Sequence, residues 1–402
     1  MQTSSAKPLQ VLFVFLRLGC TCFGGPVAHL GYFRTEFVAR RRWLQEAEYA
    51  ELIALAQTLP GPTSSQVGFM VGLLRAGWLG GLAAWLGFTL PSALLMVTFA
   101  AAGAAFNNPL ATAALHALQI IAVAVIAQAV VAMQRTLAPD LRRILIAFTA
   151  VPIALFAPAS IATIGCIALG ALAGLLFLRK LTAPARALPL PSLVSTRSSL
   201  VALTIMLGLL FLLPAMARIT GSPTLQVASS FYRSGALVFG GGHVVLPLLQ
   251  ASTVQNGWVT QHAFLSGYGA AQALPGPLFS FAAYLGYVLA QPPNHIAGAC
   301  IALVCIFLPG LLLAAGILPF WNRLTRSPRA LASLAGINAS VIGVLAAALY
   351  RPGWTSAVHA PVDFLLLVLA LIALLRFHIA PWLLLLAALA ITLPLAHFGL
   401  MH

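Results

Sequence analysis

Two arginines stand in otherwise apolar stretches, Arg17 and Arg233, each seven residues ahead of a glycine pair. A guanidinium inside a membrane is costly and normally faces a cavity or a partner, and its planar fork matches the paired oxygens of an oxyanion. The competing readings are a side chain that snorkels to an interface or one that caps carbonyls in a packed core. Downstream of each arginine come two Gly/Pro motifs: Gly24-Gly25-Pro26 and Pro60-Gly61-Pro62, then Gly240-Gly241-Gly242 and Pro275-Gly276-Pro277. Proline suits the first position of a helix and glycine permits a sharp turn, so each motif reads as a helix break that leaves unpaired amides and a positive dipole end. Such ends bind anions. The alternative is that they only kink ordinary spans.

Polar side chains cluster near these breaks. Gln57 and Gln272 precede the second motif of each set and can either donate to an anion or tie the break's carbonyls. Thr63 and Ser64, with Ser65 and Ser280, can ligate an oxyanion or cap the new helix. His29 and His243 follow the first motifs and are candidates to carry a coupling proton, since histidine titrates near neutrality; a satisfied interface histidine is the plainer alternative. Glu51 reaches into an apolar run and is a further proton-carrier candidate, whereas Glu46 and Glu48 suit the first turn of a helix.

The elements that must hold these groups are membrane helices. Of the 402 residues 61% are hydrophobic and 7% charged, and mean hydropathy is +1.00, so most side chains must face lipid or one another. The balance of 21 Lys+Arg to 6 Asp+Glu is better explained by arginine at cytoplasmic helix ends than by nucleic acid, because no basic stretch is interleaved with aromatics. The five cysteines all lie in apolar runs, and Cys20 and Cys22 sit on nearly opposite sides of a helix, so no metal site or cofactor is expected.

The chain is duplicated. Phe15-x-Arg17-x-Gly19-x-x-x-Phe23-Gly24-Gly25 returns 216 residues on as Phe231-x-Arg233-x-Gly235-x-x-x-Phe239-Gly240-Gly241, Trp43 returns as Trp258, and Gln57-x-Leu59-Pro60-Gly61-Pro62 returns as Gln272-x-Leu274-Pro275-Gly276-Pro277. The boundaries expected are a first membrane repeat over 1–178, a cytoplasmic linker over 179–199, an unpaired span within 200–222 and a second repeat over 223–402. Spans are expected at 78–102, 109–134, 141–157, 159–178, 296–318, 328–350, 361–376 and 379–398. Segments Arg34–Arg42 and Arg135–Arg143 are arginine-rich and Gly103–Asn108 is not, whereas Gly240–His295 has no Lys or Arg and Trp321–Arg329 has three Arg. Equivalent loops thus swap charge bias, as an inverted repeat requires. Leu9–Cys22 is too short, at about 21 Å of helix, to cross a ~30 Å core, so each motif is read as the tip of a re-entrant hairpin. The fold expected is an all-α polytopic membrane protein with an inverted-topology repeat and broken, re-entrant helices.

These motifs resemble the chromate ion transporter family of bacteria and archaea. The residues that carry the likeness are Phe23-Gly24-Gly25-Pro26 through His29, Arg40-Arg41-Arg42-Trp43-Leu44, and Leu59 through Gln66 in the first half. In the second they are Phe239 through Gly242, Gly267-Tyr268-Gly269, Gln272 through Pro277, Phe281 through Gly286, Ile306 through Pro309 and Leu318 through Trp321. The likeness is strong over about 9–100 and 225–350 and weak elsewhere. It implies a two-domain antiparallel carrier of the bacterial inner membrane that exports chromate, often coupled to the proton gradient, and confers chromate resistance. Some relatives are linked instead to sulfate, an ion of the same shape and charge. A homodimer is compatible with such a carrier. Gly242 stands where the first half has Pro26, so the two turns need not contribute equally. An intramembrane enzyme is disfavoured, since the chain has no HExxH, no paired intramembrane carboxylates and no GxSG turn.

Overall fold

The computed structural model describes residues 7–103, 109–157, 159–179, 194–377 and 379–397. The first helix, α1 (Pro8–Thr21), starts on a proline and stops where Gly24 and Gly25 adopt φ +94° and +78°, a conformation open to glycine but strained for other residues. The chain restarts as α2 (Gly25–Phe33), which continues as a π-helix over Arg34–Arg40. Phe15, nine residues before Gly24, packs edge-on to Phe33, nine residues after it, with ring centroids 5.7 Å apart. The chain therefore doubles back at the glycines. A second hairpin follows: α3 (Glu46–Thr58) and α4 (Thr63–Gly103) meet at Gly61, φ +128°. The 41 residues of α4 are not one straight rod, because the backbone leaves helical geometry at Ala76 and Gly77. Thr63–Arg75 is the returning arm, and the rest is a span. Helices α5 (Pro109–Leu137), α6 (Leu141–Phe156) and α7 (Ala159–Phe177) complete the first half.

After α8 (Thr196–Thr220) the pattern repeats as α9 (Pro223–Ala236), α10 (Val245–Thr253), α11 (Gln261–Ala273), α12 (Phe281–Tyr287) and α13 (His295–Ile317). Short α14 (Trp321–Thr325) leads to α15 (Pro328–Ala348), and the one-turn α16 (Thr355–Ala357) leads to α17 (Pro361–Arg376) and α18 (Pro381–His397). Both hairpins recur: Ser234 Oγ lies 3.3 Å from Ser252 Oγ across α9 and α10, and Tyr284 donates to the Ala263 carbonyl across α12 and α11. No strand occurs among the described residues.

The halves interlock. Helix α5 packs on α17 and α18 of the other half, and α15 packs on α6 and α7. Glycine permits the closest approaches: a Cβ on Gly19 would meet the Phe88 carbonyl, and one on Gly235 would collide with that of Ile306. Small residues at such crossings are how membrane helices gain packing when lipid supplies no hydrophobic drive. Five helices among the described residues are long and apolar enough to span: Thr63–Gly103, Ala114–Leu137, Thr196–Thr220, His295–Phe320 and Pro328–Arg351. Leu200, Val201, Phe211 and Leu212 of α8 are all more than half exposed, as befits side chains in lipid. The chain is an all-α, multi-pass membrane protein. Helix α8 lies between the two stretches that share this order of helices and breaks.

One expectation shifts at its edge. Ser195 accepts the Ser198 N–H and caps α8 at Thr196, four residues before the apolar run alone indicates. Most of the expected linker, residues 180–193, and of the uncharged loop, 104–108, lies outside the described residues.

Candidate functional site

All four breaks converge at the centre, through two hydrogen bonds that are copies of each other. Gly61 N–H donates to the Val238 carbonyl at 2.7 Å, and Gly276 N–H donates to the Cys22 carbonyl at 2.9 Å. Gly276 is the repeat of Gly61, and Val238 is the repeat of Cys22. Each contact thus appears twice with the halves exchanged, the signature of a two-fold relation. The second break of each half is thereby locked onto the residue just before the other half's first break.

This lock alters what the breaks can do. Pro60, Gly61, Pro62, Thr63 and Ser64 are buried, as are Pro275, Gly276 and Pro277. A Cβ on Gly61 would lie 3.1 Å from Gly310 Cα, and Gln66 Nε2 donates to the Pro60 and Gly310 carbonyls at 2.8 and 3.1 Å. The amides expected to be free at Gly61 and Gly276 are therefore spent on backbone carbonyls. The first breaks differ. Gly242 lies against Pro26, while nothing stands within 4 Å of a Cβ at Gly25 or Gly241, and Gly24 is exposed.

The two arginines part company. Arg17 is exposed on the face of α1 that also presents Leu9 and Phe13, each 60% exposed. It does not point into the interior expected of it, because Val14, Phe15 and Leu18 take the side of α1 that packs inward. Arg233 is half-buried and lines a cavity of about 420 Å³ between α7, α9 and α10. The polar lining is Thr163 of α7, Ser230 and Ser234 of α9, and Ser252 of α10 with Gln255 and Asn256 just beyond it. Ser234 and Ser252 each donate to a carbonyl one turn back, Ser230 at 2.8 Å and Leu249 at 3.1 Å; rotating a hydroxyl exchanges that bond for one to a ligand. No acidic residue occurs between Asp140 and Asp363, so every element of this cavity comes from a stretch without a carboxylate. A guanidinium among hydroxyls and amides, with no carboxylate in the lining, favours an anion over a cation. At roughly 30 Å³ per water, the space admits a small oxyanion with part of its hydration shell.

The other predicted residues fall elsewhere. Gln57 is exposed, and Gln272 is half-buried with an unpartnered Nε2. His29 is buried, with Nδ1 3.2 Å from Ser64 Oγ and its ring edge-on to Phe88. His243 Nδ1 lies 2.9 Å from the Tyr268 hydroxyl. Glu51 accepts the Trp321 indole N–H at 2.9 Å, a tie between the halves. Sequence reasoning missed Ser230, Ser234, Ser252, Gln255, Asn256 and Thr163. Ser230 and Ser234 flank Arg233 on one face of α9, which was a readable signal; the approach of α7 was not. Among the described residues no three His, Cys, Asp or Glu side chains are grouped to hold a metal ion.

The family described as chromate transporter matches residues 9–175 and 225–393. A probable chromate transport protein of Synechococcus elongatus is 29% identical over 371 residues, 90% of this chain and 89% of its own length. A chromate transport protein of Pseudomonas aeruginosa is 31% identical, covering 84% of this chain and 79% of its own, and one of Cupriavidus metallidurans is 28% identical, covering 89% and 86%. No solved structure matches. With the family matched over most of its length and a relative 31% identical across 84% of it, the chain belongs to the chromate transporter family, a family of membrane transporters rather than enzymes.

Proposed function

We propose that this protein is a secondary transporter that exports chromate across a bacterial inner membrane, driven by the proton gradient, and so confers chromate resistance. The observation that carries the reading is the Arg233 cavity, a carboxylate-free pocket roomy enough for a hydrated oxyanion, in a chain whose relatives are named for chromate transport. In this reading the anion is held by Arg233 with Ser230, Ser234 and Ser252 on the α9–α10 hairpin. The halves then rock about the Gly61–Val238 and Gly276–Cys22 bonds. Arg17, the repeat of Arg233, serves the opposite face: its hairpin ends at Arg40–Arg42, whereas the α9–α10 hairpin ends in a stretch without Lys or Arg.

Uptake of radiolabelled chromate into everted membrane vesicles, with and without a pH gradient and with sulfate as competitor, tests the proposal. Saturable uptake, abolished by Arg233→Gln while the protein stays in the membrane, is the expected result. Uptake unchanged in that variant removes Arg233 from the path, and preferential uptake of sulfate makes sulfate the substrate.

A further inference from the structure

Asp363 is the sole acid in residues 141–402, and it is buried at the start of α17, 3% exposed. Its Oδ2 accepts the His359 and Ala360 N–H groups at 3.0 and 2.9 Å and so caps the helix. Its Oδ1 is reserved for another purpose, meeting His116 Nε2 of α5 at 2.9 Å. This joins the first half of the chain to the second. The His359 ring stacks over that of His116 with centroids 6.2 Å apart, and His262 of α11 lies within electrostatic reach. The π-helical segment packed on α5 adds Tyr350 and Arg351, while the first turns of α18, Pro381–Ala388, add no ionisable group.

The position in the membrane is informative. About 28 Å of helical rise separates His116 from Arg135 at the other end of α5, and α17 carries Asp363 in its first turn and Arg376 at its end. The cluster thus sits at the bilayer face opposite the arginine-rich loops. His116 keeps 22% side-chain exposure, and His359 and His262 are exposed, so protons reach it from the medium.

We propose that the His116–Asp363 pair is the proton-binding site of the transporter, with His359 and His262 as its entry. The assignment rests on the proton-coupled reading above and names the residues that reading lacks. With Nε2–H donated to Asp363, neutral His116 leaves one uncompensated negative charge on the pair. A proton arriving at Nδ1 makes the pair neutral overall and tightens α5 on α17. The change has a route to the centre. Gln119, one turn inward from His116, donates to the His262 carbonyl at 3.4 Å and to Ser266 Oγ at 3.2 Å. Both acceptors lie on α11, the arm that runs into the break at Gly276 and its bond to Cys22. Below the pair, an apolar cavity of about 200 Å³ lined by Ala117, Leu366, Ala370 and Leu384 leaves α17 and α18 room to shift.

The test uses the full-length protein, unaltered and as H116Q, in liposomes. Radiolabelled chromate is followed as exchange at uniform pH and as net flux under a pH gradient with the membrane potential clamped. H116Q should keep exchange within about two-fold yet lose about ten-fold or more of the acceleration by the gradient, a shift of ~1.4 kcal/mol in coupling. An H116Q response equal to that of the unaltered protein overturns the assignment. A substrate-free readout separates this from the wider reading. Histidine side-chain NMR over a pH series should show a proton-binding signal that H116Q removes and D363N displaces. If that signal is missing while gradient-driven flux persists, the assignment alone fails. If the signal is present but the unaltered protein's flux ignores the gradient, proton coupling fails and the assignment goes with it.

Discussion

The two halves share a backbone plan and differ in what they do with it, and the difference is clearest at the paired arginines. In the second half, Arg233 looks into a pocket of hydroxyls and amides; in the first, Arg17 is exposed. The hairpin junctions differ in the same sense. Glu36 is held by Arg40 and Arg41, and Arg34 pairs with Glu46 at 2.6 Å. In the second half the corresponding junction is a neutral bond from Gln250 Nε2 to Gln261 Oε1 at 3.1 Å. An inverted arrangement would account for this, placing the same junction on the arginine-rich side in one half and on the arginine-poor side in the other. A duplicated fold can thus carry charges in one copy and uncharged counterparts in the other while the central breaks stay symmetric.

The sharpest way to break this comparison is to remove each arginine in turn. Charge-assisted hydrogen bonds contribute about 1.5–3 kcal/mol apiece, so losing two from a bound oxyanion lowers chromate flux by about 100-fold or more. Arg233→Gln should show that loss. Arg17→Gln should cost less than about 10-fold, read in the same vesicle assay. Equal losses would mean that the exposed Arg17 enters the path as fully as its repeat.

Next in size come the breaks. Gly61 and Gly276 combine positive φ with close neighbours, Gly276 having Ser92 Oγ 2.8 Å from where a Cβ would sit. Gly25 has positive φ and open space. Backbone strain of about 1–2 kcal/mol applies to all three, and overpacking adds about 1–3 kcal/mol only at Gly61 and Gly276. Gly276→Ala should therefore lower the thermal midpoint in detergent more than Gly25→Ala. The reverse order would make the first breaks the structural ones. A smaller effect is expected at Ser252→Ala, which takes one hydroxyl from the pocket. It should raise KM for chromate roughly three- to ten-fold with the melting curve unchanged.

How much of this could be read from residues alone follows from what each feature depends on. Hairpin tips depend on glycine and proline, which constrain backbone locally, so residues 24–26, 60–62, 240–242 and 275–277 were legible. The repeat was legible because spacing survives in sequence. Arg17 misled because a helix position fixes a residue's angle around the axis but not which side the rest of the protein covers; Phe15 and Leu18 settled that through packing against distant helices. The amides of Gly61 and Gly276 misled for the same reason, since their acceptors lie more than 170 residues away. Thr163 joins the pocket, and His116 finds Asp363, only because each half's last helices pack on the other half.

The smallest effect concerns acid and the first half alone. Partial burial works against the charge on Glu36, but hydrogen bonds from Arg41 and Arg40 outweigh it and hold its pKa below the ordinary value of 4.5. A depressed carboxylate contributes stability that is complete above the unfolded-state pKa and is lost as pH falls through the folded-state one. The window therefore lies below about pH 4.5, and neutral pH retains the whole contribution. Arg40 is more than half exposed and Arg41 about a quarter, so solvent screening keeps the gain to about 1 kcal/mol or less. Glu36→Gln should lower the thermal midpoint slightly at pH 7 and leave a gap from the unaltered protein that closes as pH drops to 3. Gln250→Ala, at the corresponding junction of the second half, should leave a gap that does not change over the same range, because neither partner there titrates. A pH-dependent gap at Gln250 would mean that the second junction is tied to a charged group, and the division into an ionic and a neutral copy would fail.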